Sequence, residues 1–142
     1  MLNKFREIPL LLAVCCVTSN ACGGTVPLGG ALDVTRSERV WVDSTRRTPP
    51  NGTFRGAPMR TLRTLLWQSA AAAAMPIVVM AHGFGALPED FDAFAGNVAA
   101  AGFIVAAPEF PLTNRNPPGE RLGINDLNNQ PGDLSFVITQ LL

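Results

Sequence analysis

The chain of 142 residues contains a single histidine, His82, and its three cysteines all lie within the first 22 residues. No disulfide can form within the remaining chain, and one histidine excludes a site built from several histidine ligands. Charged residues account for only 15% of the chain, and the formal net charge is zero. This balance offers no basic patch of the kind that binds nucleic acid. The sequence therefore indicates no nucleic-acid partner, no metal and no other cofactor.

The composition still allows one folded domain. Hydrophobic residues make up 47% of the chain, which argues against general disorder, and the length suffices for a single core. The 13 glycines and 12 prolines predict many turns. We expect a targeting segment over residues 1–22, a flexible Gly-rich tether over 23–32 and the folded domain over 33–142.

Residues 1–22 have the anatomy of an export signal. Lys4 and Arg6 form a basic start, an apolar run over 10–17 follows, and small or polar residues lead to Cys22. The run is too short to span a bilayer, which needs about 20 residues. The residues around Cys22 resemble a bacterial lipobox, so lipidation of Cys22 and ordinary cleavage near it both stay open. We expect an exported protein that is secreted, periplasmic or anchored by a lipid to the bacterial cell envelope.

Two stretches before residue 70 predict antiparallel strands at the edge of a sheet. Val40 and Val42 alternate with other residues over 39–43, as in a half-buried strand. Turn signals over 48–52 separate this stretch from the apolar residues of 60–67. The five alanines that follow, at 70–74, are interpreted as a linker.

The next part of the chain predicts a strand, a helix and a second strand. Ile77–Ala81 is continuously apolar, which is typical of a parallel strand covered on both faces. Pro88 and the acidic residues after it favour a helix start, and Gly102 favours its end. Residues 103–107 form the second strand of this βαβ unit, which is right-handed in nearly all proteins. Four residues are predicted on the buried face of the helix: Phe91, Phe94, Val98 and Ala101.

A polar loop over 113–129 leads to a second predicted helix, from Gly132 to Leu142. Asp133 suits its first turn. Four apolar residues share one face at helical spacing: Leu134, Val137, Ile138 and Leu141. Ser135 is interpreted as an ordinary helix serine, and no Gly-x-Ser-x-Gly turn occurs anywhere in the sequence.

The predicted strand over 77–81 runs into the turn His82-Gly83-Phe84-Gly85, and the predicted helix and the stretch Gly102 to Pro108 follow. This order of elements resembles the α/β-hydrolase superfamily. The closer resemblance is to bacterial dienelactone-hydrolase-like, cutinase-like and platelet-activating-factor-acetylhydrolase-like esterases. It is collinear over about residues 33–142, and 132–138 resembles the helix that precedes the nucleophile strand in these proteins. The resemblance implies an α/β fold class: the N-terminal portion of an α/β-hydrolase sheet, with antiparallel edge strands, a βαβ unit and a further helix, incomplete as given.

The same resemblance implies an oxyanion loop formed by His82, Gly83, Phe84 and Gly85, with the backbone N–H of Phe84 as the donor. His82 is interpreted as a brace for this loop, because the catalytic histidine of these enzymes follows the nucleophile in the chain. No catalytic residue is identified in this chain. The Ser, Asp and His of the triad are expected beyond Leu142, and the chain as given is expected to be inactive.

The full-length protein would hydrolyse a small-molecule, lipid or polyester ester through an acyl-enzyme. A second hypothesis stays open: a short, non-catalytic surface lipoprotein or binding protein anchored through Cys22. A stable monomer would favour it, because a partial sheet leaves an apolar edge and a helix face uncovered. Glu109, at the end of the second strand, is expected to be exposed to solvent or to line a cleft.

Overall fold

A computed structural model describes residues 10–11, 33–70 and 75–142 of the chain. The interpretations made for the rest of the targeting segment, for Cys22 and for the tether lie outside the described residues, as does most of the alanine linker. In the described ranges, no helix is long and apolar enough to cross a membrane.

The strands form one mixed sheet. They are β1 (Leu10–Leu11), β2 (Val34–Asp43), β3 (Arg60–Ser69), β4 (Ile77–Val79) and β5 (Ile104–Pro108). Their order is β1-β4-β5-β3-β2, with β4 parallel to β5 and β3 antiparallel to both β2 and β5. The short β1 runs parallel to β4 and lies within the predicted targeting segment. Without it, β4 is the edge of a four-stranded sheet.

The predicted antiparallel pair is confirmed, and both strands are longer than the sequence pattern indicated. β2 and β3 pair over ten residues each, from Val34 opposite Ser69 to Asp43 opposite Arg60. The first half of β2 is mostly polar, with Val34 as its one apolar residue, so it carries no apolar alternation that would reveal a strand. β2 forms the sheet edge, whereas β3 lies inside the sheet between β2 and β5.

The two helices cover opposite faces of the sheet. Helix α1 (Asp92–Ala100) follows a 3₁₀ turn at Pro88–Phe91, and α2 (Gln130–Leu141) follows a 3₁₀ turn at Ile124–Asn129. Successive strand residues point to opposite faces. Each helix therefore packs on its own apolar cluster, with Val78 and Val105 under α1 but Val79 and Ala106 under α2.

The predicted buried face of α1 is wrong at two of its four positions. Phe94 is 50% exposed and Ala101 is also exposed, whereas Ala95 and Ala99 are fully buried against the sheet. The α-helix begins only at Asp92, after a tighter 3₁₀ turn, so counting a single helical period from Pro88 gives the wrong phase.

The predicted face of α2 is confirmed. Val137 is fully buried, and three further residues pack against the same cluster: Leu134, Ile138 and Leu141. Gly102, directly after α1, has φ of 95°, which is the left-handed conformation common after a helix end.

A buried ionic network joins the start of α2 to the sheet. The Arg60 guanidinium is fully buried and donates to Asp126 at 3.0 and 2.8 Å and to Asp133 at 2.6 and 2.7 Å. Arg46 bridges Asp133, at 2.9 Å, and Asp43, at 2.6 Å. These contacts satisfy charges that would otherwise be costly to bury. Although burial raises it, the pKa of Asp43 is lowered to about 2 by hydrogen bonds from Thr45 and Arg46.

Candidate functional site

The predicted site lies at the carboxyl ends of the two parallel strands. The chain leaves β4 and enters the turn at residues 82–85, and it leaves β5 directly into Glu109 and Phe110. In open α/β sheets, ligands bind at this edge. The fold therefore brings the turn and the end of β5 to the edge where a site is expected.

Both ring nitrogens of His82 are bound to backbone groups. The N–H of Phe110 donates to Nε2 at 3.0 Å, and Nδ1 lies 2.8 Å from the carbonyl oxygen of Gly83. A carbonyl only accepts, so Nδ1 must carry the hydrogen, and Nε2 must be the unprotonated acceptor. The ring is thus a neutral imidazole in a defined tautomer, 4% exposed and tilted against the Phe110 ring at 4.7 Å.

The surroundings of His82 favour this neutral form. Burial lowers the pKa of His82, because a charged ring would lose its hydration. The carboxylates of Glu109, Asp90 and Glu89 oppose the shift through their negative charge without cancelling it. Protonation at Nε2 would also place two N–H donors face to face, since the Phe110 N–H already points there.

The peptide bond between Gly83 and Phe84 has a defined orientation. The carbonyl of Gly83 accepts from His82 and also from the N–H of Ala86 at 3.0 Å. The peptide is planar and trans, so the N–H of Phe84 points opposite to this carbonyl, away from the His82 ring. Within the described part of the chain, the Phe84 N–H has no acceptor. Gly83 and Phe84 are both exposed, and an added Cβ at Gly83 would meet nothing within 4 Å.

Of the two glycines, only Gly85 needs the conformational freedom of glycine. Its φ is 75°, where a side chain is strained, and its N–H donates to the Thr113 carbonyl at 2.8 Å. Gly83 has no such φ. The conformational requirement for glycine in this turn therefore lies at Gly85.

Large apolar side chains lie exposed next to the turn. Phe84 is 48% exposed, Leu122 is 42% exposed and Ile124 is 64% exposed. Leu122 lies beside the turn, since its Cδ1 would be 3.6 Å from a Cβ added at Gly85. The N–H of Gly123 donates to the Leu112 carbonyl at 2.7 Å, which fixes this segment beside the turn.

Glu109 lines a cleft, which was one of its two expected positions. The cleft has a volume of about 320 Å³ and lies between the β2–β3 connection and the loop after β5. Phe54 and Met59 line one side, and Pro111 and Asn114 line another. The residues that line the cleft include none of the turn at 82–85, although the turn binds the same loop at Thr113.

Glu109 also belongs to a cluster that the sequence did not reveal. Arg63 in β3 donates to Glu109 at 2.7 Å, to Glu38 at 2.9 Å and to Glu89. The hydrogen bond to Glu89, followed by those to the other two carboxylates, raises the pKa of Arg63 although partial burial opposes it. The same bond lowers the pKa of Glu89. The partners lie 20 or more positions apart in the sequence, so no local motif announces the cluster.

The remaining sequence candidates take structural positions. The Ser135 hydroxyl donates to the Pro131 carbonyl at 2.9 Å within α2, as expected for a helix serine. Among the described residues, no three His, Cys, Asp or Glu side chains are arranged to hold a metal ion.

The sheet order, with one helix on each face, is that of a partial α/β-hydrolase fold. A ferulic acid esterase from Streptomyces cinnamoneus superimposes with a TM-score of 0.62 at 19% identity, over 79% of this chain and 47% of the esterase. The chain thus spans about half the length of this structural relative. The fold class predicted from the sequence is confirmed.

A family model for platelet-activating factor acetylhydrolase, isoform II, matches residues 65–111. The match covers β4, the turn, α1 and β5, which carry the predicted resemblance. No curated protein sequence matches the chain. The family match and the structural likeness together relate the chain to α/β-hydrolase-like esterases.

Proposed function

We propose that this chain is the N-terminal part of an exported serine ester hydrolase and that it supplies the oxyanion loop. The observation that carries the proposal is the Phe84 N–H, which points away from the buried His82 ring because the Gly83 carbonyl is bound to that ring. Acyl transfer passes through a tetrahedral oxyanion, and preorganised backbone N–H groups stabilise it. Each such donor contributes about 2.7–4 kcal/mol to transition-state stabilisation.

The strand that carries the nucleophile would lie beside this donor. The crossover β4–α1–β5 moves across the sheet with α1 on one face, and α2 lies on the other face. Because α2 lies on the opposite face from α1, a right-handed crossover through α2 must run along the sheet in the opposite direction, back past β5 and β4. The next parallel strand would then pair with β4 at the edge that β1 of the predicted targeting segment occupies in this structure, and its carboxyl end would lie next to the turn at 82–85. A nucleophile at that end would face the Phe84 N–H.

On this proposal, His82 is a brace and not the general base. A base needs a nitrogen that faces the reacting hydroxyl, and both nitrogens of His82 are occupied by backbone groups. Its Nδ1–H holds the Gly83 carbonyl and so sets the direction of the Phe84 N–H. The base, its orienting carboxylate and the nucleophile would all come from residues after Leu142.

The direct test uses the longer protein. The coding sequence after codon 142 is expected to encode a short apolar strand followed by Gly-x-Ser-x-Gly. The protein that includes it should hydrolyse p-nitrophenyl acetate with an initial burst from the acyl-enzyme. The 142-residue chain should show no turnover. Robust turnover by the short chain would contradict the absence of a nucleophile.

The donor itself can be removed at one position. Phe84→Pro deletes the backbone N–H, whereas Phe84→Leu keeps it and serves as the matched control. In the longer protein, the proline variant should lower kcat by about 10²–10³-fold. The leucine variant should keep a kcat near that of the wild type with a small acetyl ester. Equal kcat values for the two folded variants would remove Phe84 from this role.

A further inference from the structure

Arg63 connects three separate parts of the structure. It lies in β3 opposite Glu109, whose N–H donates to the Arg63 carbonyl at 2.7 Å. Its side chain then binds Glu109, Glu38 of β2 and Glu89 through its three different nitrogens. Three donors of one planar fork thus hold three carboxylates.

Two of these carboxylates flank the turn at 82–85. Glu89 lies in the 3₁₀ turn at Pro88–Phe91, which begins shortly after residue 85. Glu109 immediately precedes Phe110, whose N–H binds the ring of His82. Among the described residues, Arg63 makes no hydrogen bond to the turn itself, yet it binds the chain on both sides of the turn.

The charges make the cluster depend on Arg63. One guanidinium stands among three carboxylates, and one oxygen of Glu89 is buried without a partner among the described residues. Without Arg63, the three negative charges would repel one another at close range. Glu89 and Glu109 would then move apart, and Phe110 would move with Glu109.

We propose that Arg63 is a positioning residue for the turn. By holding the carboxylates on both flanks, it fixes the approach of the Phe110 N–H to the His82 ring. The ring in turn orients the peptide that carries the Phe84 N–H. The link to catalysis rests on the proposed function, whereas the link from Arg63 to His82 does not.

His82 reports on this link directly, because it is the only histidine of the chain. In the 142-residue chain, prepared without a histidine tag, ¹⁵N NMR of the imidazole distinguishes the Nδ1–H tautomer from the Nε2–H tautomer. We expect the wild type to show the Nδ1–H tautomer alone at pH 7.5. A mixture of the two tautomers in the wild type would overturn the proposal.

Three variants separate positioning from general stabilisation. Arg63→Gln removes the charge and should introduce the Nε2–H tautomer and shift the Phe110 amide signal. Arg63→Lys keeps the charge without the three-way fork and should lie between the wild type and the glutamine variant. The control is Arg36→Gln, a half-exposed arginine that pairs with Asp92 instead, and it should leave the His82 signals unchanged.

Wild-type His82 signals in both Arg63 variants would overturn the proposal, even if the variants melt at lower temperature. Should these variants fail to fold, Glu109→Ala removes the acceptor with Arg63 intact, and unchanged His82 signals there would also overturn the proposal. In the longer protein, Arg63→Gln should lower kcat about ten-fold or more with KM nearly unchanged. A wild-type longer protein without esterase activity would sink the proposed function while leaving the NMR result standing.

Discussion

The N–H of Phe110 donates to Nε2 of His82 at 3.0 Å and thereby joins the end of β5 to the turn that follows β4. The two residues are 28 positions apart in the chain. One backbone donor therefore determines which ring nitrogen of His82 carries the hydrogen, and through that hydrogen it determines which way the Gly83 carbonyl points.

The first prediction concerns pH. Burial lowers the pKa of His82 below its ordinary value of 6.5, so the unfolded chain binds this proton more readily than the folded chain. With respect to this group, the folded chain therefore keeps its full stability above pH 6.5. It loses stability as the pH falls through 6.5 towards the lower folded-state pKa of His82. Urea unfolding between about pH 5 and pH 7.5 should show this loss, because aspartates and glutamates titrate mainly below this window.

The control for this pH dependence is His82→Gln, which keeps one donor and one acceptor but does not titrate. Its free energy of unfolding should vary much less over the same window. A slope equal to that of the wild type would assign the pH dependence to other groups.

A matched pair of alanine substitutions tests the backbone of the turn. Gly85→Ala forces a side chain into φ of 75° and should lower the free energy of unfolding by about 1–2 kcal/mol. Gly83→Ala adds its Cβ in open space and should change it by less than about 0.5 kcal/mol. Chemical denaturation of both variants is sufficient, and equal losses would contradict the difference in their conformations.

The buried network predicts a large stability loss. Arg60→Met leaves the carboxylates of Asp126 and Asp133 buried without their main partner, which should cost about 3–5 kcal/mol. Arg36→Gln removes an exposed pair with Asp92 and should cost less than about 1 kcal/mol. Thermal melts of the two variants compare the effects, and a mild loss for Arg60→Met would mean that the network contributes little.

The exposed apolar side chains beside the turn predict acyl selectivity in the longer protein. Phe84→Ala and Ile124→Ser should raise KM for esters with long or aromatic acyl groups, because these groups would lose apolar contact area. Acetyl esters should be affected little. Val40→Ser, on the opposite sheet edge and 57% exposed, is the control. Unchanged KM values across acyl lengths would exclude these residues from the substrate site.

Much of the fold could be predicted because its signals are local. The continuous apolar run at Ile77 and the glycine at 102 follow from residues close together in the sequence, and both predictions agree with the structure. The face of α2 was also predicted, since its apolar residues repeat at the helical period and the predicted helix starts at Gly132, inside the α-helix and past the 3₁₀ turn at Ile124–Asn129.

The rest depends on contacts between distant residues. Phe94 was assigned to the core by its hydrophobicity, but alanines form the contact, and which face packs is decided by the sheet. Arg60 reaches partners 66 and 73 positions away, and Arg63 reaches partners 25 to 46 positions away. From the sequence alone, an arginine in a strand is predicted to be exposed, because the carboxylates that pair with it come close only in the folded chain.

The two hydrogen bonds to the Gly83 carbonyl also have an entropic consequence. They order the peptide before Phe84 while the chain folds, with no ligand needed to complete the arrangement. In the proposed enzyme, the loss of conformational entropy in this turn would thus occur once in the lifetime of each molecule and would not recur in every catalytic cycle.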